Sequence, residues 1–242
     1  DCTGECNGTA VEDCTGECNG TAVEDCAGKC NGTAFDNACD YCVGGNTGLV
    51  ENYCGTVTDV DGNSYESIII GNQVWMAENL KVIHFRNGES LTAGLSSTHG
   101  LSAYTVYDND ETNADTYGYL YNWYAVTDSR NIAPEGWHVP TNDEWQTLVD
   151  YLGGSSVAGG KLKEADTTHW YSPNTGATNE SGFTALPGGF GNYSGPFNYM
   201  GSIAWFWSST FWQIDDAYHR RLHFDDSDVT QSGLTRRHGI SI

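Results

Sequence analysis

Cysteine is missing from most of this chain. Nine cysteines lie at or before Cys54, and the 188 residues that follow have none. Whatever the cysteines do is confined to the first quarter. Basic residues are scarce as well: 10 Lys and Arg stand against 32 Asp and Glu, for a formal net charge of −22. Nucleic acid is therefore excluded as a partner, since binding it needs a basic face. No apolar run is long enough to span a bilayer, and no signal peptide is present. With 30 glycines and few long apolar runs, the chain is expected to form short strands and many turns.

What the first quarter does have is a repeat. DCTGECNGTAVE (1–12) returns unchanged at 13–24 and again as DCAGKCNGTAFD at 25–36. A fixed period marks an array whose units lean on their neighbours. Twelve residues with almost nothing apolar cannot bury a core, so the C-x-x-x-C of each copy must hold it. A small segment of this kind is stapled by disulfides, which persist outside the cytosol. Zinc fits the twelve-residue period poorly, because its sites favour C-x-x-C pairs. The disulfide candidates are Cys2, Cys6, Cys14, Cys18, Cys26, Cys30, Cys39, Cys42 and Cys54. Pairing within repeats (2–6, 14–18, 26–30, 39–42) leaves Cys54 over. Pairing between repeats (6–14, 18–26, 30–39, 42–54) leaves Cys2, and suggests a chain cut from a longer array. The missing signal peptide then reads as a processed or partial chain.

Each repeat also carries Asn-Gly, the signal of a type I′ turn. Asn-Gly-Thr is at the same time a glycosylation sequon, so Asn7, Asn19 and Asn31, or the neighbouring Thr9, Thr21 and Thr33, are candidates for sugar attachment. Residues 1–54 are read as a Cys-rich stalk or assembly array, and 55–242 as one globular domain.

In that domain, Asp61-Gly62-Asn63 separates two expected strands. Thr141 with Glu144 forms a capping box for a helix ending at Gly153-Gly154. Trp145, Leu148, Val149 and Leu152 fall on its inner face. A second helix is expected near 157–165, weakened by Gly159-Gly160, and short aromatic strands at 204–210 and 217–224.

The stretches IGNQVWMAENLK (70–81), YGYLYNWYAV (117–126), APEGWHVPTNDEWQTLVDYLGG (133–154), VAGGKLKE (157–164), GFTALPGG (182–189), FWSST (206–210) and HGISI (238–242) together resemble the Fibrobacter succinogenes major paralogous domain, a module of secreted and surface-anchored bacterial proteins. The likeness covers about 56–242. Members usually run on through a further cysteine, which the first pairing scheme would join to Cys54. The family in turn looks like a relative of the formylglycine-generating-enzyme and C-type-lectin folds, since WHVPTNDEW is similar to the Leu-Pro-Thr-x-x-Glu-Trp element of the former. The resemblance implies an α+β domain with a twisted antiparallel sheet and one or two helices.

The formylglycine-generating chemistry needs copper-binding thiols, which the domain lacks, and a shared scaffold does not confer activity. No nucleophile-elbow pattern surrounds Ser208-Ser209. His219, Arg221 and His223 share one face of an expected strand. The chain is read as no enzyme, without a required cofactor. Calcium is the one candidate ion, at the acidic loop of Asp108, Asp110 and Asp115, with Asp225, Asp226 and Asp228 crowding another loop. Loop aromatics able to stack on sugar rings are Trp170, Tyr171, Tyr193 and Tyr199, whereas Trp75, Trp123, Trp137, Trp145, Trp205 and Trp207 read as core. The expected role is an extracellular structural or adhesion protein, the subunit of a surface filament assembled head to tail from its own copies, or a module recognising surface glycans.

Overall fold

The computed structural model describes residues 1–4, 6, 8–95 and 100–242. The chain divides into two units, Asp1–Gly55 and Thr56–Ile242.

The first unit is built from one turn, repeated. In Asp13–Glu17, the Asp13 N–H donates to the Glu17 carbonyl (3.0 Å) and the Gly16 N–H to the Asp13 carbonyl (2.9 Å). The Asp13 carboxylate caps the turn from inside, accepting from the N–H and hydroxyl of Thr15 and the N–H of Glu17. Gly16 has φ +83°, a conformation in which a side chain is strained. The other Asp13 oxygen reaches the Ala22 N–H, nine residues on, at 3.0 Å. A Cβ on Gly20 would collide with that carboxylate. Asp25 repeats the arrangement with Ala27, Lys29 and Ala34. The expected type I′ turn at Asn-Gly does not form. Asn19 and Asn31 have positive φ, but Gly20 and Gly32 do not, and a type I′ turn needs both. The hairpin turn is Asp-Cys-x-Gly instead, bridged by Glu12 to Cys18 and by Glu24 to Cys30.

Neither expected disulfide scheme is present. The pairs are Cys2–Cys18, Cys14–Cys30 and Cys26–Cys42, each 16 residues apart, and Cys39–Cys54, 15 apart. The first cysteine of each repeat therefore joins the second cysteine of the next. Cys6 is an exposed free thiol, so its place among the disulfide residues is corrected, as is the idea that Cys54 awaits a distant partner. The loops interleave, and this crosslinking does what a core would do elsewhere. Val11 and Val23 are over 70% exposed, and only Ala34 and Val43 are buried hydrophobics among the described residues of this unit. Ala34 immediately precedes, and Val43 belongs to, the small hairpin of β1 (Phe35–Asp36) and β2 (Cys42–Val43).

The fourth turn closes the array with a changed residue. Asn37 stands where Asp13 and Asp25 stand, and its Oδ1 caps the Cys39 and Tyr41 N–H groups in the same way. Its amide nitrogen then donates to the carbonyls of Glu51 and Tyr53. The following chain presents acceptors here instead of an N–H, so an amide fits and a carboxylate would not.

β3 (Tyr53–Thr58) carries the chain into the second unit, where it is ordered with β4 (Ser64–Ile70) and β5 (Gln73–Met76). The turn between β3 and β4 is the array's turn again: Asp59 caps the Asp61 and Asn63 N–H groups. A second sheet joins β6 (Thr92–Ala93), β7 (Ala103–Thr105) and β8 (Leu120–Tyr121), the first pair parallel. Helices α1 (Thr112–Tyr117), α2 (Trp123–Val126), α3 (Asn142–Tyr151) and α4 (Ser155–Leu162) lie around and after it. The hairpin of β9 (Phe190–Gly191) and β10 (Phe197–Asn198) leads to the longest sheet, antiparallel β11 (Ile203–Gln213), β12 (Asp216–His223) and β13 (Val229–Thr235). The class is α+β as expected, but the strands divide among several small, mostly antiparallel sheets, and two short helices join the two expected ones.

The β11–β12–β13 sheet supplies side chains to two cores. Ala204, Phe206, Leu222 and Val229 pack with Trp145, Leu148 and Val149 of α3 and Leu162 of α4. Trp207 and Ala217 pack with Tyr65, Tyr121 and Ile240. Helix α3 starts at the expected capping box, with Thr141 and Glu144 each satisfying the other's backbone N–H. The Gly159-Gly160 pair inside α4 follows from close approach: a Cβ on Gly159 would sit 2.7 Å from the Ser227 carbonyl, and one on Gly160 would overlap the Gly176 carbonyl. No helix among the described residues is long and apolar enough to cross a membrane.

Candidate functional site

The three acids of the expected calcium loop do not converge in this structure. Asp108 lies in a short 3-10 turn, Asp110 caps Thr112, and Asp115 falls within α1. The Thr112 hydroxyl and N–H lower the Asp110 pKa. These three residues do not belong to either group of ligand atoms that converges among the described residues. One such group is Cys26, Asp36 and Cys42, whose sulfurs are locked in a disulfide. The other is His223, Asp225 and Asp226, where the His223 ring is already bonded to the Asp225 carboxylate.

The sugar-attachment candidates Asn19, Asn31, Thr9, Thr21 and Thr33 are all exposed, while Asn7 lies outside the described residues. The loop aromatics separate. Trp170 is core, not loop: it is 1% exposed, and its indole N–H donates to the Ala185 carbonyl. Tyr171 is exposed and meets Phe224 edge-on. Tyr193 and Tyr199, by contrast, come together on one feature.

That feature is a strip of half-buried rings on the β11–β12–β13 sheet. Trp205 of β11 lies opposite Arg221 of β12, whose guanidinium is 5.4 Å from the Trp205 ring. His219 stacks on Trp205 at 4.9 Å, and Tyr199 approaches it from the chain entering β11. Phe190 of β9 contacts Trp205 at 5.7 Å and His238 at 4.7 Å. His238 contacts Tyr193 at 4.9 Å. Tyr193 carries Arg237 over its ring at 3.8 Å and accepts a hydrogen bond from it. Reciprocal backbone bonds between Gly191 and Gly239 hold the two halves together. A Cβ on Gly239 would come within 2.7 Å of the end of the Leu95 side chain and 3.2 Å of Leu120 Cβ.

The strip is also where hydrogen bonding is incomplete. Six buried side-chain polar atoms lack a partner among the described residues, and Trp205 Nε1, His219 Nδ1 and His238 Nδ1 are three of them. Trp75, Trp123, Trp145, Trp170 and Trp207 each donate their indole N–H to a protein oxygen. A buried donor without an acceptor costs about 1–3 kcal/mol, so each such atom needs a cause. Burial holds the His219 pKa down at about 3, and burial also lowers that of His238. Both rings are therefore neutral at neutral pH, each with one donor and one acceptor.

The sequence pattern places His219 and Arg221 on one strand face but gives Trp205 as core, and His238 and Phe190 carry no signal of their own. Two other features carry less chemistry. The half-open recess of about 220 Å³ beside Thr58, Asp59 and Ile132 includes Arg86, which is spent on the carbonyls of Ala133, Pro134 and Trp137. Lys163 is fully buried and donates to the carbonyls of Thr175, His223 and Asp226, joining α4 to the end of β12.

No curated protein and no solved structure matches the chain. The model of the Fibrobacter succinogenes major domain matches residues 68–241. That span takes in most of the second unit, including both helices with their capping box and paired glycines, the β11–β12–β13 sheet and the whole aromatic strip. The chain belongs to the Fibrobacter succinogenes major domain family.

Proposed function

We propose that this is a non-catalytic extracellular bacterial protein of structural or adhesive role, in which residues 1–54 form a tether or assembly element and residues 55–242 a displayed module. The interleaved disulfide ladder carries the reading. A segment that is crosslinked throughout, with its large apolar side chains mostly outside, is built to persist in an oxidising medium and to transmit force. Four disulfides are compatible with a secreted or surface chain. In the filament form of this reading, copies join head to tail by a contact that does not close on itself.

Negative-stain electron microscopy of the native, unreduced protein tests it. Regular filaments would support a structural subunit. Single particles at every concentration tried would remove the filament and leave the adhesive form. A second reading, recognition of surface glycans, is favoured by the half-buried rings around Trp205.

A further inference from the structure

Of the arginines in this chain, most are committed. Arg86 is held by three carbonyls, Arg130 pairs with Asp128 and Glu89, Arg220 binds Asn142, and Arg236 pairs with Asp215. Arg221 and Arg237 have no carboxylate partner among the described residues, although the chain carries 32 acids. Each rests on a ring of the same strip, Arg221 on Trp205 and Arg237 on Tyr193. Between them run Trp205, Phe190, His238 and Tyr193 in unbroken contact.

We infer that this strip is a binding site for an acidic oligosaccharide, a short run of pyranose rings bearing carboxylates. The inference rests on the adhesive form of the proposed function and names what the displayed module holds. Half-buried rings offer faces on which the C–H side of a sugar can stack. His219 is only 2% exposed and its Nδ1 has no partner. With Trp205 Nε1 and His238 Nδ1 it makes three polar atoms, buried beneath the rings, that have no partner among the described residues. The two guanidiniums then select for carboxylate, which each can meet with paired N–H groups. Long nucleic acids are disfavoured by the net charge of −22. A short oligosaccharide held at the strip feels that field less, because screening at physiological salt acts over about 8 Å.

The test is calorimetric titration of the whole, disulfide-intact chain with hexuronate tetramers and with their methyl esters, which keep the rings and remove the charge. The acid forms of at least one tetramer should bind, with the ester at least about tenfold weaker. Arg221→Gln and Arg237→Gln should each lose about tenfold toward the acid form and leave ester binding unchanged. Tyr199 is 53% exposed, so Tyr199→Ala should leave the melting temperature alone and weaken both ligands. No binding by any acid tetramer, equal binding of acid and ester, or glutamine variants that bind like the parent would overturn the inference. Such a failure leaves the electron-microscopy result standing, so the tether reading and the ligand reading fall separately.

Discussion

The disulfide ladder fixes how far the array can be stretched, and the limit follows from connectivity alone. Fully reduced, the 52 backbone steps from Cys2 to Cys54 extend to about 180 Å. Oxidised, the shortest covalent route runs from Cys2 across to Cys18, along the chain to Cys26, across to Cys42, back to Cys39 and across to Cys54. It uses three crosslinks with Cα separations of 5.5, 5.6 and 5.4 Å. The eleven backbone steps between them add about 40 Å, so the ceiling is about 55 Å. Cys14–Cys30 is not on the route, and Cys14→Ser with Cys30→Ser should leave the ceiling where it is. Without Cys26–Cys42 the route passes through Cys14–Cys30 instead and grows by less than about 10 Å. Interleaving thus makes the middle crosslinks back each other up. Single-molecule force spectroscopy with handles flanking residues 2 and 54 reads this directly. Reductant added under load should release about 125 Å. Pairing within each repeat would instead set the oxidised ceiling near about 150 Å and release about 30 Å. An oxidised extension beyond about 80 Å, or a large gain in the Cys14/Cys30 double variant, would refute the ladder.

The second unit gives four further expectations, each read by chemical denaturation with its midpoint and slope. Lys163→Met strands the three carbonyls that the ammonium now serves and should cost about 3 kcal/mol; an unchanged midpoint would mean the cluster is not needed. Gly160→Ala should destabilise by about 2 kcal/mol, against the gain of about 1 kcal/mol that helix propensity alone gives, because the new methyl meets the Gly176 carbonyl. Thr141→Ala removes half of the capping box and should cost about 1 kcal/mol. For His219 the folded pKa, about 3, lies below its ordinary 6.5, so the unfolded chain binds the extra proton between those values. Stability is complete above about pH 6.5 and falls as the pH drops toward 3, by up to about 1 kcal/mol per unit; His219→Phe should flatten that slope, and a parent-like slope in the variant would refute the assignment.

How much of this was legible in the sequence depends on the range of the interaction. Helix α3 could be read whole, because its capping box and its apolar face at 3.6-residue spacing lie within a dozen residues. The long hairpin of β11 and β12 showed as aromatic strands for the same reason. Gly159-Gly160 read as a weakness in α4, since the chain that presses on it comes from residues 176 and 227. The repeat marks its cysteines as disulfide partners, yet neither pairing it suggests is the one that forms. Identical repeats remove the information that would choose a partner: every first cysteine looks alike and so does every second. What decides is that the first cysteine sits inside the Asp-capped turn and the second on the returning strand, at the bridges Glu12 to Cys18 and Glu24 to Cys30. The turn itself was assigned to Asn-Gly, because the Asp carboxylate contacts that build it two, four and nine residues away leave no mark on composition.

The misreading of Trp205 has a different cause, and it bears on where a site can arise. A strand covered on one face shows alternation, whereas one covered on both reads as a nearly continuous apolar run. AWFWSST is of the second kind. Phe206 enters the core beneath α3, and Trp207 enters the core on the other side. Periodicity therefore gives Trp205 and Trp207, two residues apart on one face, the same expectation. They differ because the cover on that face ends between them. Trp207 lies under Tyr121 and donates its N–H to that residue's carbonyl, while Trp205 lies past the end, where His219, Phe190 and Tyr199 shield it only in part. Arg221, set opposite by the register, completes the edge. Three of the six buried polar atoms without partners fall there because the packing stops partway across a ring.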